Sequence, residues 1–279
     1  MLIKTFDRKR SLVKLLHSLQ QRHPDLPIFI ADDSKEPYRD EIFSRFPQLD
    51  IQYYTLPFDT GLSAGRNYLL EKITTPWFLL CDDDFVVDHR LHLASTLATM
   101  EQEQLDIGGG CFINYTTTNN LRRFTKILLT PSLAWRYVLN KPLMIHYNGN
   151  FHMKNNHCTL STSYRKPRSR VHYCDLVNNL FIGKTRSVKV MNGWDEDFKV
   201  GEHEDFFYRA KLHGLKVALL SDFAVAHYQA ASGNYLQYRQ RANSFKRLFV
   251  EKSGFDSYRE IDNDTGNVIF FATPEKIVQ

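Results

Sequence analysis

The chain has 279 residues, of which 43% are hydrophobic and 24% charged, with a formal net charge of +5. That length holds one large α/β domain, and that composition excludes an extensively disordered chain. No run nears the roughly 18 apolar residues of a membrane-spanning helix, and the N-terminus lacks a signal-peptide core, so the expected location is cytoplasmic. The modest positive charge suits either a polyanion or an anionic membrane surface without choosing between them. Four cysteines without a CxxC pair exclude a cysteine zinc site as the simple reading and leave free, mostly buried thiols.

In chain order, "LIKTF" reads as a strand, and "RSLVKLLHSLQQRH" as a helix in which Leu12, Leu15, Leu16 and Leu19 recur at helical spacing. "LPIFIADDS" is a strand ending in acids, residues 36–46 a helix, and "IQYYTL" a third strand. "GLSAGRNYLLEKI" is a helix after a glycine turn, "WFLLCDDD" a fourth strand, and residues 88–101 a further helix. "DIGGGCFINY" follows as a strand with close backbone contacts at its glycines. From 115 to 170 the pattern becomes polar, basic and rich in turn formers, as expected of an insertion of loops or hairpins. Regularity returns with "CDLVNNLFIGKTRSVKVMNGWDEDF" and "GEHEDFFYRAKLHGLKVALLSDFAVAHYQ", and a basic helix at 234–252 precedes a mixed tail. Strands alternating with helices of these lengths predict a mostly parallel sheet covered on both faces.

In such sheets ligands sit beyond the carboxyl ends of the strands, and Asp32–Asp33 and Asp82–Asp84 both fall at that edge. The D-x-D pattern at 82–84 suits a hard divalent ion with a phosphate ligand; the bland alternative is an acidic turn capping the next helix. Glu204 and Asp205 open an amphipathic helix, either as simple dipole partners or as a carboxylate kept ionised for general-base work. His227 after an apolar strand is either a packed residue or a metal ligand.

The order of these segments resembles the GT-A nucleotide-sugar glycosyltransferases of glycosyltransferase family 2. "LIKTFDRKRSLVKLLHSL" resembles the family's opening strand and helix, with Asp7 where asparagine is commoner. "IFIADDS", "TGLSAGRNYLL", "LLCDDDF" and "NGWDEDFKVGEHEDFFYRAKLHGLKV" resemble its base-gripping strand, donor-side helix, D-x-D strand and acceptor-side segment. "YYTLPFDTGLSAGRNYLLEKITTPWFLLCDDDF" with "DLVNNLFIGKT" looks closer still to β-1,4-N-acetylgalactosaminyltransferases of the ganglioside-synthase type.

The resemblance implies a single GT-A (Rossmann-like) α/β domain over 1–279, with a mostly parallel central sheet flanked by helices. Residues 1–114 would form the nucleotide-sugar half, 115–170 an inserted loop or hairpin region, and 171–279 the acceptor-side half. It implies an inverting, Mn²⁺- or Mg²⁺-dependent transfer from a UDP-sugar, N-acetylgalactosamine by preference, to a glycan or lipid-linked glycan, with no nucleic-acid partner. Thr5 and Asp33 would meet the uridine. Asp82 would lie near ribose and metal, Asp83 beside the donor, and Asp84 and His227 on the metal. Arg66 would balance the acids or reach the donor, with a structural ion pair as the alternative. Asp205 would be the base, Glu204 its neighbour, and Trp194 with Asp195 the acceptor platform. A Golgi-lumen location would follow if the sequence is a fragment of an anchored enzyme. A nucleotidyltransferase and a non-catalytic carbohydrate- or polyanion-binding module, using Arg122, Arg123, Lys166, Arg168 and Arg170, stand as rivals. "TFDRKRS" lacks the glycine that the former needs.

Overall fold

The computed structural model describes residues 1–115, 144–228 and 241–272. Strands β1 (Leu2–Thr5), β2 (Ile28–Asp32), β3 (Ile51–Thr55) and β4 (Trp77–Asp82) are parallel and lie in the order β3-β2-β1-β4. Helices α1 (Lys9–Arg22), α2 (Arg39–Arg45) and α3 (Leu62–Lys72) make the crossovers between them. Successive strand residues face opposite sides, so Leu2, Phe78 and Leu80 join one core while Ile3, Leu79 and Cys81 join the other. Burial on both faces explains why these strands read as continuous apolar runs. On α1, Leu12, Leu15, Leu16 and Leu19 are fully buried in the second core, as their spacing predicts.

Beyond β4 the sheet becomes mixed. β5 (Phe85–Val86), α4 (Leu93–Gln102) and β6 (Ile107–Asn114) are followed by β7 (Met144–Ile145), β8 (Asn148–Lys154) and β9 (His157–Ser163). Then come β10 (Val171–Tyr173), β11 (Leu176–Val177), β12 (Phe181–Lys184), α5 (Thr185–Val190), α6 (His203–Leu212) and β13 (Val217–His227). The described chain finishes with α7 (Ala242–Ser253), β14 (Ser257–Asp262) and β15 (Val268–Ala272). The larger sheet runs β10-β13-β6-β12-β4-β1-β2-β3, with β12 antiparallel to both neighbours and β13 parallel to β6. A second sheet, β11-β8-β9-β14-β15, pairs the 148–163 hairpin with the C-terminal strands. All four cysteines are free and buried.

One expectation changes. The helix expected at 88–101 begins at Leu93, because Phe85–Val86 pairs with β13 and the Asp88 carboxylate accepts the Arg90 backbone N–H in a local turn. Pairing crosses both 114 and 170: β6 pairs with β7, and β14 runs alongside β9. Residues 116–143 of the expected insertion, with Arg122 and Arg123, lie outside the described residues. Asp7, in the family's asparagine position, has φ of 49°, a left-handed conformation that short polar side chains tolerate.

Leu16→Ala, at a fully buried α1 position, is expected to cost about 2–5 kcal/mol in urea unfolding. Val190→Ala, at a 66% exposed position, should move the midpoint by at most about 0.5 kcal/mol.

Candidate functional site

The order of the parallel strands reverses between β1 and β4, and their carboxyl ends are level, with Lys4 opposite Asp82. A cavity of about 470 Å³ opens there, lined among others by Thr5, Asp33, Arg66, Asp82, Asp83 and Asp84. All of the expected donor-side residues therefore converge on one crevice.

The three aspartates of 82–84 reach three different elements. Asp82 accepts from Arg66 Nη2 of α3 at 3.1 Å and keeps its side chain 34% exposed. Asp83 accepts from Thr5 Oγ1 of β1 at 2.7 Å and from Arg8 Nη1 at 3.1 Å. Asp84 pairs with Arg8 Nη2 and with His227 Nε2, the latter at 3.0 Å. Burial pushes the Asp83 carboxyl up to about 7. Burial would also raise Asp84, but His227 and Arg8 hold it below the usual carboxylate range. Asp33 is raised by burial against the pull of Lys4, whose ammonium bonds it, and it also accepts the Gly61 N–H at 2.8 Å. Gly61 has φ of 99°, and a Cβ there would lie 2.9 Å from Lys199 Cα, so no other residue fits this turn.

His227 reaches the acids through strand register. It lies opposite Asn114 in β6 and opposite Phe85 in β5, which sets it beside Asp84. Its Nδ1 is 2.6 Å from Asn114 Oδ1. With Nδ1–H given to Asn114, Nε2 is the nitrogen turned to Asp84, where it donates, so it would ligate an ion only after giving up that proton. Among the described residues no group of three candidate ligands is already arranged for a metal, since Arg8 and Arg66 hold the acids. By donor chemistry alone, the oxygens of Asp82 and Asp84 and the nitrogen of His227 suit a divalent ion such as Mn²⁺ or Mg²⁺.

The acceptor-side segment is clamped to α3. Asn67 donates to Trp194 O at 2.7 Å and accepts from Trp194 N at 2.8 Å, and Ser63 Oγ donates to Phe198 O at 2.6 Å. Arg66, 1% exposed, donates through Nη1 to Glu202 and through Nη2 to Asp82. Glu202, His203 and Glu204 consequently line the same cavity as the aspartates.

Three expected acceptor-side residues are not among those lining the cavity. Asp205 is absent from the cavity lining; its Oδ2 accepts from Arg209 Nε at 2.8 Å, one helical turn on. Trp194 is 2% exposed and stacked on Phe206 at 4.6 Å between centroids, within the core. Asp195 pairs with Lys252 away from the cavity. Phe6, Phe85, Phe112, Tyr147 and Tyr164 line the cavity with aromatic surface, and the two tyrosine rings lie 5.0 Å apart. Neither tyrosine was anticipated, because the turn-rich 115–170 stretch offers no periodicity to point to them. Lys4 carried a readable signal: a charge inside a buried strand needs a carboxylate partner. In the described part of the expected basic helix, Arg241 pairs with Asp59, Lys246 with Glu204 and Glu260, and Lys252 with Asp195 and Asp197; residues 234–240 lie outside the described residues. Among the described residues no helix is long and apolar enough to cross a membrane.

A Rossmann-like sheet with its acids and acceptor segment sharing one crevice at the strand ends defines a GT-A glycosyltransferase fold. The solved structures agree. GalNAc-T7 with UDP, GalNAc and Mn²⁺ superposes with a TM-score of 0.59 at 14% identity, covering 89% of this chain and 49% of that one. S. aureus TarS 1–349 in complex with UDP gives 0.55 at 16%, covering 88% and 64%. The chain belongs to glycosyl transferase family 2, whose profile matches residues 1–167, and it is a glycosyltransferase domain. Mouse β-1,4 N-acetylgalactosaminyltransferase 2 is 38% identical over 107 residues, 38% of this chain and 20% of the relative. Mouse β-1,4 N-acetylgalactosaminyltransferase 1 is 36% identical over 118 residues, 41% and 21%. These alignments span about a fifth of each relative's length.

Arg66→Met leaves Glu202 buried without its cation and is expected to cost about 3–5 kcal/mol in urea unfolding. Lys9→Met breaks an exposed pair with Glu41 and should cost less than about 1 kcal/mol in the same assay.

Proposed function

We propose that this domain transfers a sugar from a UDP-sugar to a hydroxyl of a glycan acceptor, with N-acetylgalactosamine as the donor sugar and a divalent ion as cofactor. The observation that carries this reading is the convergence of Thr5, Asp33, Asp82 and Asp84 with Glu202–Glu204 on one cavity. Support for the donor comes from the names of the mouse relatives, and for the cofactor from the Mn²⁺ named with GalNAc-T7.

In this reading Thr5 and Asp33, at the ends of β1 and β2, bind the uridine. Asp82, Asp84 and His227 would hold the ion, which when bound would offset the charge developing on the departing diphosphate. Arg66 keeps Asp82 and Glu202 in fixed positions, so the donor edge and the acceptor segment do not drift apart. Tyr147 and Tyr164 offer aromatic surface to a sugar ring. Glu202 and Glu204 are each held in an ion pair, by Arg66 and Lys246 respectively. Neither is placed as an unengaged nucleophile, which favours a single displacement by the acceptor. That displacement inverts the anomeric centre and converts an α-linked donor into a β-linkage.

Calorimetry with UDP and Mn²⁺, followed by a screen of UDP-sugars for turnover, tests the reading. Asp84→Ala is expected to abolish the Mn²⁺-linked part of UDP affinity. Asn114→Ala, which frees the His227 ring, should weaken Mn²⁺ binding by about 10–100-fold. UDP affinity that ignores Mn²⁺ in the native protein would overturn the cofactor assignment. No turnover with any UDP-sugar would count against the reaction.

A further inference from the structure

With Asp205 turned to Arg209, the reaction proposed above needs another group to take the acceptor's proton. Of residues 202–205, three are committed to ion pairs: Glu202 to Arg66, Glu204 to Lys246 and Asp205 to Arg209. His203 lines the cavity and, among the described residues, makes no ion pair. Its Nδ1 lies 3.0 Å from Asn179 Oδ1. An amide oxygen only accepts, so this contact makes Nδ1 the protonated nitrogen and leaves Nε2 with its lone pair. The ring is held on two further sides, lying near-parallel to Tyr147 at 6.1 Å and edge-on to Phe207 at 5.0 Å.

From this geometry we propose that His203 Nε2 is the general base of the transfer, oriented by Asn179, an assignment that rests on the glycosyltransferase reading. The acceptor hydroxyl gives its proton to Nε2 as its oxygen bonds to the sugar's C1. The bond from C1 to the β-phosphate oxygen breaks, and its electron pair leaves with UDP. Burial keeps the resting imidazole neutral by lowering its pKa, while Glu204 and Glu202 pull the other way. Those carboxylates stabilise the imidazolium once it forms, as the buried aspartate does in a serine-protease triad. Arg66 and Asp82 are the remaining charges that bear on the ring, one lowering and one raising its pKa. An unpaired neutral imidazole is a better proton acceptor near neutral pH than a carboxylate already bonded to a cation.

The test has two arms. In ¹⁵N-histidine NMR of the native protein at pH 7, the resonances lost in His203→Gln should be those of a neutral ring protonated on Nδ1. They should titrate below the ordinary histidine value of about 6.5. A ring protonated on Nε2, or already charged at that pH, overturns the proposal whatever the activity. In the second arm, UDP release from UDP-N-acetylgalactosamine with Mn²⁺, water serving as acceptor, should fall about 10²–10⁴-fold in His203→Gln, with UDP affinity unchanged by calorimetry. Its acid limb in the native protein should lie below pH ~6.5. Turnover retained in His203→Gln but lost in Glu204→Gln transfers the role to Glu204 and sinks this assignment alone. A native protein that does not bind UDP with Mn²⁺ sinks the underlying reading instead.

Discussion

A single buried guanidinium joins the two halves of the crevice. Arg66 reaches Asp82 at the end of β4 with one nitrogen and Glu202 before α6 with the other, across a gap of 120 residues in sequence. Its fork geometry lets one cation satisfy two carboxylates on different elements, which a lysine ammonium on a flexible stem does less well. Glu202, 3% exposed, is tolerable in the interior only because that cation stands beside it. The Ser63 and Asn67 bonds to the 194–198 backbone add hydrogen bonds to the same junction. The "LSAGRN" stretch thus works as a clamp as much as a cavity wall.

Three adjacent carboxylates at 82–84 are stable for a related reason. They do not share one counter-ion but fan out, to α3, to β1 and Arg8, and to Arg8 with β13. Arg66 pairs with Asp82, Arg8 bridges Asp83 and Asp84, and Thr5 and His227 each add a contact to one of those two, so the strand end is an ordered polar hub. The same fan leaves Asp82, Asp84 and His227 lining the cavity.

Much of this was legible in the sequence because it rests on local regularities. The Leu12–Leu19 spacing and the apolar runs ending in acids reported α1 and the parallel strands, and strand-end position alone brought Asp33 and Asp82–Asp84 to one edge. The acceptor side was less legible. Nothing in "GEHEDFF" tells which acid faces inward, because that depends on where the helix turns and on Arg209 lying one turn beyond Asp205. For a single tryptophan such as Trp194 core packing is the safer reading of sequence, and its stack on Phe206 is a contact no local window displays. Tyr147, Tyr164 and Asn179 acquire meaning through contacts with residues far along the chain, which no window of sequence displays.

The pairing of β6 with β13 sets the order in which the molecule can be completed. Asn114 and His227 are opposite each other in a parallel ladder although more than a hundred residues intervene, and β12 must slot between β4 and β6 from that intervening chain. Contacts of such long range are formed against a loop-closure cost and slow the final assembly. The N-terminal strands, whose partners are near in sequence, are the natural early template. The histidine side of the crevice is then among the last parts to be built during folding, and a chain stalled before that step would display the aspartates without their imidazole.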